Sequence, residues 1–376
     1  MIPTRERAET LKYTIQTALN QKLEEYEVIV SDNFSQDNTK QVVDGFGDSR
    51  LRYVNTMQRL SMTENFSFGV SQAKGEYIIV IGDDDGVMPN AIDQLSKFII
   101  SHPSKLYVWP RHGYIWPSSH KKSKLERLAQ RSQPEKIDLR EQLKSTLKKG
   151  LCLNSRMPNT YHSATHCSIF EEIKRQTGQY YQTTNPDEFM LFTLPVFSEF
   201  TVNIGYALTA NGHSVKSNSG RQLNTEKKST KNELGEVEKF ISEYGEYKLH
   251  QSIPSDFPTT ACFVMDTFLR VRDLYPKHYA NYNINYSGMW AYAWQIFNLK
   301  NLLEPVKRRK ELQEYEAFNA ITYLTFSLLF FVYLKIIKKV APQSKQEKAV
   351  QNIFNETPPN DINEFVNFIN KLKLIE

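Results

Sequence analysis

Between residues 10 and 100, short apolar runs rich in β-branched side chains alternate with stretches of helical period, and few folds accept that alternation. Residues 10–21 place Leu11, Ile15, Ala18 and Leu19 on one helix face; residues 26–31 read as a short strand and 36–46 as the next helix. A strand is expected at 51–54 and a helix at 63–73. Residues 77–81 (Tyr-Ile-Ile-Val-Ile) have no polar alternation, which predicts a fully buried central strand. A helix over 89–100 follows, with Pro89 near its first turn, where the missing N–H costs nothing. Repeated strand–helix–strand units imply an α/β fold, a Rossmann-like, mostly parallel sheet flanked by helices.

The 376 residues exceed what one core normally needs, so a second region is expected beyond the α/β domain. The expected boundary gives an α/β domain over residues 1–234 and an α-helical C-terminal appendage over 235–376, rich in Tyr, Phe and Leu at helical spacing. Residues 120–150 turn basic without a strand signal and read as a helical insertion or solvated lid, and 211–234 as a polar loop. A net charge of +5 does not call for a nucleic-acid partner. Cys152, Cys167 and Cys262 share no metal-ligand spacing, and an odd count argues against a disulfide framework, so a reducing cytoplasm is expected. No secretory signal opens the chain. The apolar run 317–334, followed by Lys335, Lys338 and Lys339, admits three readings: a buried or interface helix, a membrane-surface anchor on anionic lipid, or a span at the short limit.

The sharpest chemical feature is Gly82-Asp83-Asp84-Asp85-Gly86, three carboxylates directly after the buried strand. Adjacent like charges need compensation, and Mn²⁺ or Mg²⁺ bridging carboxylates to a nucleotide's phosphates would supply it. The competing reading is an acidic turn or helix cap. Asp32, after the strand at 26–31, stands where ligands bind in open α/β sheets; plain helix capping by Ser35 or Asp37 explains the segment equally well.

Taken in order, Ile2-Pro3-Thr4-Arg5-Glu6-Arg7, Leu19-Asn20-Gln21, the Asp32 segment, Ala73-Lys74-Gly75-Glu76, the triple aspartate and Pro89 resemble inverting glycosyltransferase family 2, of the GT-A fold. The resemblance is strong over the first ~95 residues and looser to about 215. It implies nucleotide contacts at Pro3, Thr4 and Arg7, the base at Asp32, ribose and metal at Asp83 and Asp84, and a further contact at Asp85, counted here with the metal ligands. It also implies a later carboxylate as catalytic base: Asp187 in Asn185-Pro186-Asp187-Glu188, with Glu188 as its rival. Such a base removes the proton of an acceptor hydroxyl as the new bond forms. A helix N-cap is the alternative role for Asp187.

The implied activity is sugar transfer from a nucleotide-sugar donor to a saccharide or lipid-linked acceptor, in polysaccharide or glycan assembly. The expected location is the cytoplasm, at the inner membrane face. Two other classes compete: a non-catalytic nucleotide-sugar-binding scaffold, and a nucleotidyltransferase, which ranks last for want of a glycine-rich phosphate loop. The departure from the family is the first strand, nearly absent before Pro3, so the native start is expected upstream of Met1. His162 and His166 are four apart and can share a helix face as metal ligands. His213, Lys216 and Arg221 can reach a diphosphate, and the aromatic run 279–294 can stack on sugars or pack as core.

Overall fold

The computed structural model of the chain describes residues 1–151, 156–217, 247–253, 260–295, 319, 321–325, 327–328 and 345–373. Its first three strands, β1 (Ile2–Thr4), β2 (Val28–Asp32) and β3 (Leu51–Asn55), pair in parallel, linked by helices α1 (Ala8–Leu19) and α2 (Thr39–Asp44). Every residue of β2 is buried, and α1 buries Leu11, Ile15 and Ala18, the face its period predicts. Helix α3 (Met62–Ser71) begins at a capping box: the Ser61 hydroxyl accepts from Glu64 N–H, and the Glu64 carboxylate accepts from Ser61 N–H.

Strand β4 (Tyr77–Ile79) is central, as expected, although only Ile78 of its three residues is fully buried. Met1 N–H donates to Ile79 O (2.8 Å) and Ile81 N–H to Met1 O (3.2 Å), so the backbone of residue 1 bridges the parallel β1–β3 sheet to β4. Beyond β4 the sheet runs on through β10 (Ser163–His166), β6 (Leu106–Val108), β11 (Phe200–Asn203) and β9 (Glu135–Asp138), in that spatial order. Parallel pairing holds in the N-terminal sheet and between β6 and β11; β10 runs antiparallel to both neighbours and β9 antiparallel to β11. A second, smaller layer has the order β5 (Gly86–Val87), β12 (Thr209–His213), β7 (His112–Ile115) and β8 (Lys124–Arg127). Helices α4 (Ala91–Ser101), α5 (Leu139–Lys148), α6 (Cys167–Thr177) and α7 (Pro186–Phe197) complete this part of the chain.

The basic stretch departs from expectation. Residues 120–150 contain β8 and β9 as well as the helix α5. Each of those strands buries one apolar side chain, Leu125 or Ile137, among exposed charges, so no period of two is visible in the sequence. The loop expected from residue 211 also begins later, because 211–213 belong to β12; residues 218–246, with Arg221 and the expected boundary at 234, lie outside the described residues.

Among the described residues the C-terminal helices are α8 (Thr260–Leu274), α9 (Pro276–Tyr279), α10 (Tyr286–Gln295), α11 (Lys345–Glu356) and α12 (Ile362–Lys373). Their described side chains share cores with the α/β part. Phe268, Leu269, Met289 and Trp290 join one hydrophobic cluster with Phe66, Ile78 and Phe189, while Phe354, Phe365 and Val366 join a second with Ile2, Leu11 and Val30. Tyr279 and Trp290, from the aromatic run 279–294, are buried, which is core packing and not a sugar platform. Most of the apolar run 317–334 lies outside the described residues; in its described part Tyr323 is buried, whereas Ile321 and Leu328 are 77% and 66% exposed. Among the described residues no helix is long and apolar enough to cross a membrane.

Candidate active site

Strand ends converge on one acidic centre. Thr4 lies opposite Asp32 in the β1–β2 ladder, and its hydroxyl donates to Asp83 Oδ2 at 2.7 Å, tying the first two strands to the aspartate segment beyond β4. Arg7, just past β1, pairs its Nη2 with Asp83 Oδ1 at 2.9 Å and holds Nη1 3.8 Å from Asp84 Oδ2. All three aspartates are buried, so their charges cannot be dispersed into water.

Each carboxylate is held differently. Asp84 Oδ2 accepts from Ser214 N–H (2.9 Å), leaving Oδ1 out of these contacts, and the Asp84 carbonyl accepts from Trp116 Nε1 (2.9 Å). Asp85 uses both oxygens on backbone, Oδ1 on Gly212 N–H (2.7 Å) and Oδ2 on Gly82 N–H (2.6 Å), and so acts as a strut between its own loop and β12. Burial pushes Asp83 up to about 6; Arg7 and Thr4 oppose the rise and Asp84 adds to it. Burial and the adjacent Asp84 push Asp85 up to about 7, against the two backbone donors. Burial, which Arg7 and the hydrogen-bond donors only partly offset, is thus the main cause of both shifts. Among the described residues no three His, Cys, Asp or Glu side chains close into a metal cage. Mg²⁺ commonly takes one or two carboxylates and completes its shell with water and substrate phosphate, and Asp83 with Asp84 fits that arrangement.

Asp32 is buried and fully engaged: Oδ1 accepts from Ser35 N–H (3.1 Å) and Oγ–H (2.5 Å), Oδ2 from the Tyr53 hydroxyl (2.5 Å) and Asn55 Nδ2 (3.1 Å). Ser35 does not cap α2, whose N-cap is Asn38 with no side-chain cap hydrogen bond, and Asp32 Oδ2 faces exchangeable side-chain donors. Pro3 lies in β1 between Ile2 and Thr4, all three buried.

Asp187 and Glu188 occupy the first turn of α7, with Pro186 at its start and no side-chain cap from Asn185. Neither carboxylate serves as the N-cap. Burial raises Asp187 far above the ordinary carboxylate range; Glu188 and Asp85 add to this and Arg111 opposes it, so Asp187 and the aspartate segment share one electrostatic environment. Burial likewise pushes Glu188 up to about 7. Asp187 Oδ1 is buried without a hydrogen-bond partner, as is Ser214 Oγ, whereas Asp83 Oδ1 and Arg7 Nη1 stand in the ion pairs given above. Unsatisfied buried polar atoms are expensive in a folded protein.

The histidines separate. His162 and His166 flank or belong to β10, not a helix, and they serve different neighbours. His162 Nε2 stands 3.4 Å from Asp85 Oδ2 and 3.1 Å from Asn211 Oδ1, with Nδ1 on Thr209; His166 contacts Ser168 and Glu76. They do not form a metal pair. Burial drives His162 well below its ordinary value, with Arg111 adding to the fall, so it is neutral. His213 meets Glu126 (3.0 Å) and Asn211 (2.9 Å); burial lowers it, but Glu126, Asp84 and Asp85 together raise it above the ordinary histidine value. Lys216 pairs instead with Glu9 (3.0 Å). The structure adds Arg111, Glu126 and Tyr161 to the site, none of which stands in a readable motif, and gives His162 a different partner from the one its spacing suggested. Arg111 senses Asp85 and Asp187, and Tyr161 senses Asp187, Asp85, Arg7 and Asp83.

The family model described as Glycosyl transferase family 2 matches residues 1–173. The chain is 34% identical over 100 residues to the GalNAc(5)-diNAcBac-PP-undecaprenol beta-1,3-glucosyltransferase of Campylobacter jejuni, covering 26% of this chain and 32% of that protein. It is 30% identical over 116 residues to glycosyltransferase GlyG of Streptococcus pneumoniae, covering 30% and 38% respectively. The chain thus spans between 32% and 38% of the length of these curated relatives. Among solved structures, S. aureus TarS 1-349 in complex with UDP-GlcNAc aligns over 88% of this chain and 90% of that one, with 14% identity and a TM-score of 0.48. Residues 1–173 are thus similar to glycosyl transferase family 2.

Proposed function

We propose that the chain transfers a sugar from a nucleotide-diphosphate donor to an acceptor hydroxyl with inversion, assisted by Mn²⁺ or Mg²⁺, in polysaccharide or glycan assembly. The observation that carries this reading is the buried acidic centre at the strand ends, where Arg7 pairs with Asp83 and Ser214 N–H with Asp84, together with two buried polar atoms that have no hydrogen-bond partner, Asp187 Oδ1 and Ser214 Oγ. A bound ligand would pair them.

In this reading Pro3, Thr4 and Asp32 receive the nucleotide: a base N–H takes up Asp32 Oδ2 in place of Tyr53 or Asn55, and Asp83 meets the ribose. Asp84 holds the metal, with Asp85 fixing its loop. When bound, the metal supplies Lewis-acid neutralisation of the departing diphosphate. Arg7 adds fixed positive charge beside it. Asp187, with its proton affinity raised by burial, takes the proton of the acceptor hydroxyl as the glycosidic bond forms. Attack from the face opposite the diphosphate inverts the anomeric centre.

The name of the Campylobacter relative gives a PP-undecaprenol-linked saccharide, which supports a lipid-linked acceptor and work at the inner face of a membrane. The exposed Ile321 and Leu328 are available for membrane contact.

The decisive experiment is donor hydrolysis and transfer with a panel of nucleotide-sugars, with and without Mn²⁺. Asp84→Ala is expected to abolish metal-dependent turnover. Asp187→Asn should lower kcat by about 10²–10⁴-fold while leaving donor affinity near that of the parent. Turnover unaffected by either change refutes the assigned roles, and nucleotide binding without turnover over a broad acceptor panel favours a scaffold.

A further inference from the structure

The aspartate segment is gripped on two sides by backbone contacts that only glycine permits. On one side β12 crosses it: a Cβ on Gly212 would lie 1.8 Å from the Asp84 carbonyl oxygen. On the other side stands α12, from the far end of the chain. A Cβ on Gly86, the residue after Asp85, would lie 2.8 Å from Cγ1 of Ile362 and 2.8 Å from Cγ1 of Val366. Both are β-branched side chains, stiff at the bond that would have to turn, so they cannot swing aside cheaply.

Helix α12 is itself firmly seated. It packs on α1, β5 and β12. Phe365 stacks on Tyr114 of β7 (centroids 4.8 Å apart, 24° between planes), and Tyr114 lies opposite Gly212 in the β7–β12 ladder. The Tyr114 hydroxyl donates to Pro359 O (2.9 Å), and Ile362, Phe365, Val366 and Ile369 are all buried. A rigid surface is thus held against the back of the loop whose front carries Asp83 and Asp84.

We propose that α12 is a positioning element of the site: Ile362 and Val366 press on Gly86 and hold the loop 82–87 against β12, setting the placement of Asp83 and Asp84. The consequence for donor affinity rests on the donor-binding reading above; the mechanical coupling does not. Neither Ile362 nor Val366 touches a ligand. Their effect passes through the Gly86 backbone.

The test uses the full chain in four forms: parent, Gly86→Ala, Ile362→Ala with Val366→Ala, and all three changes together. Amide hydrogen exchange without ligand is read at 82–87 and 209–214, with 28–32 as the reference, and binding of UDP and GDP with Mn²⁺ is read by calorimetry. Gly86→Ala is expected to speed exchange at 82–87 and 209–214 but not at 28–32, and to weaken the nucleotide that the parent binds by about tenfold or more, as misplacement of site groups does. The triple variant, which removes both Cγ1 atoms, should recover toward the parent, a rescue that general destabilisation would not give. Unchanged exchange in Gly86→Ala, or loss that the triple variant does not relieve, overturns the proposal. Should Gly86→Ala fail to fold, the Ile362→Ala, Val366→Ala pair decides: it leaves a gap behind Gly86 and must loosen 82–87, and native-like protection there overturns the coupling. A parent that binds neither nucleotide sinks the donor reading and leaves the exchange result standing.

Discussion

At the scale of single residues, Asp187 and Glu188 carry the pH behaviour. Both are raised by burial, Glu188 to about 7, so below neutral pH the pair retains protons and the base is blocked. Turnover should therefore rise with pH as Asp187 gives up its proton, and Glu188→Gln should shift that rise to lower pH by removing the neighbouring charge that raises Asp187; a profile that Glu188→Gln leaves in place contradicts the assignment. Stability runs the other way. A carboxylate or histidine whose folded pKa exceeds its unfolded value contributes stability that is complete at low pH and lost as pH rises through the folded value. Asp85, Glu188 and His213 all belong to this class. His162 and the Met1 amino group, lowered by burial, the latter to about 5, act in the opposite sense, so the expectation is set on one group: Glu188→Gln should lose less melting temperature than the parent between pH 5.5 and pH 8. Scanning calorimetry at the two pH values checks this.

At the scale of elements, the difference between readable and unreadable segments has a local cause. Helix α1 and strand β2 bury side chains at the spacing their residues announce, and Asp32 and Asp83–Asp85 stand at strand ends, so both were legible. Strands β8 and β9 were not, because a strand with one buried residue among charges has no period to detect. Helix α3 shows how much one cap contributes. Ser61 and Glu64 satisfy each other's backbone donors at its start, and Ser61→Ala is expected to cost about 1 kcal/mol, measurable by urea titration. Because α3 contacts β1 and β2, the same change should also loosen Ser31, which hydrogen-bonds Asn65 of α3 (2.8 Å), one residue before Asp32.

At the scale of the whole molecule, the described residues on either side of 234 share two cores. Trp290 and Phe268 share a cluster with Ile78, beside the aspartate segment, and Phe365 shares one with Leu11. Trp290→Ala removes a side chain that is 1% exposed and should cost about 3–5 kcal/mol. Circular dichroism and tryptophan fluorescence of the variant should report one common transition at lower temperature; a separate early transition confined to the C-terminal helices would indicate independent folding. Local chemistry in the sequence was enough to announce the alternating strands and helices, the carboxylates at their ends and the resemblance to a family over the first half, because propensity, capping and apolar period act within a few residues of one another. Which groups share the site was decided by tertiary structure alone. His162 meets Asp85, Gly212 receives its carboxylate, and Ile362 presses on Gly86 only after the sheets close, since burial and Coulomb energy depend on distance in space and not on separation along the chain.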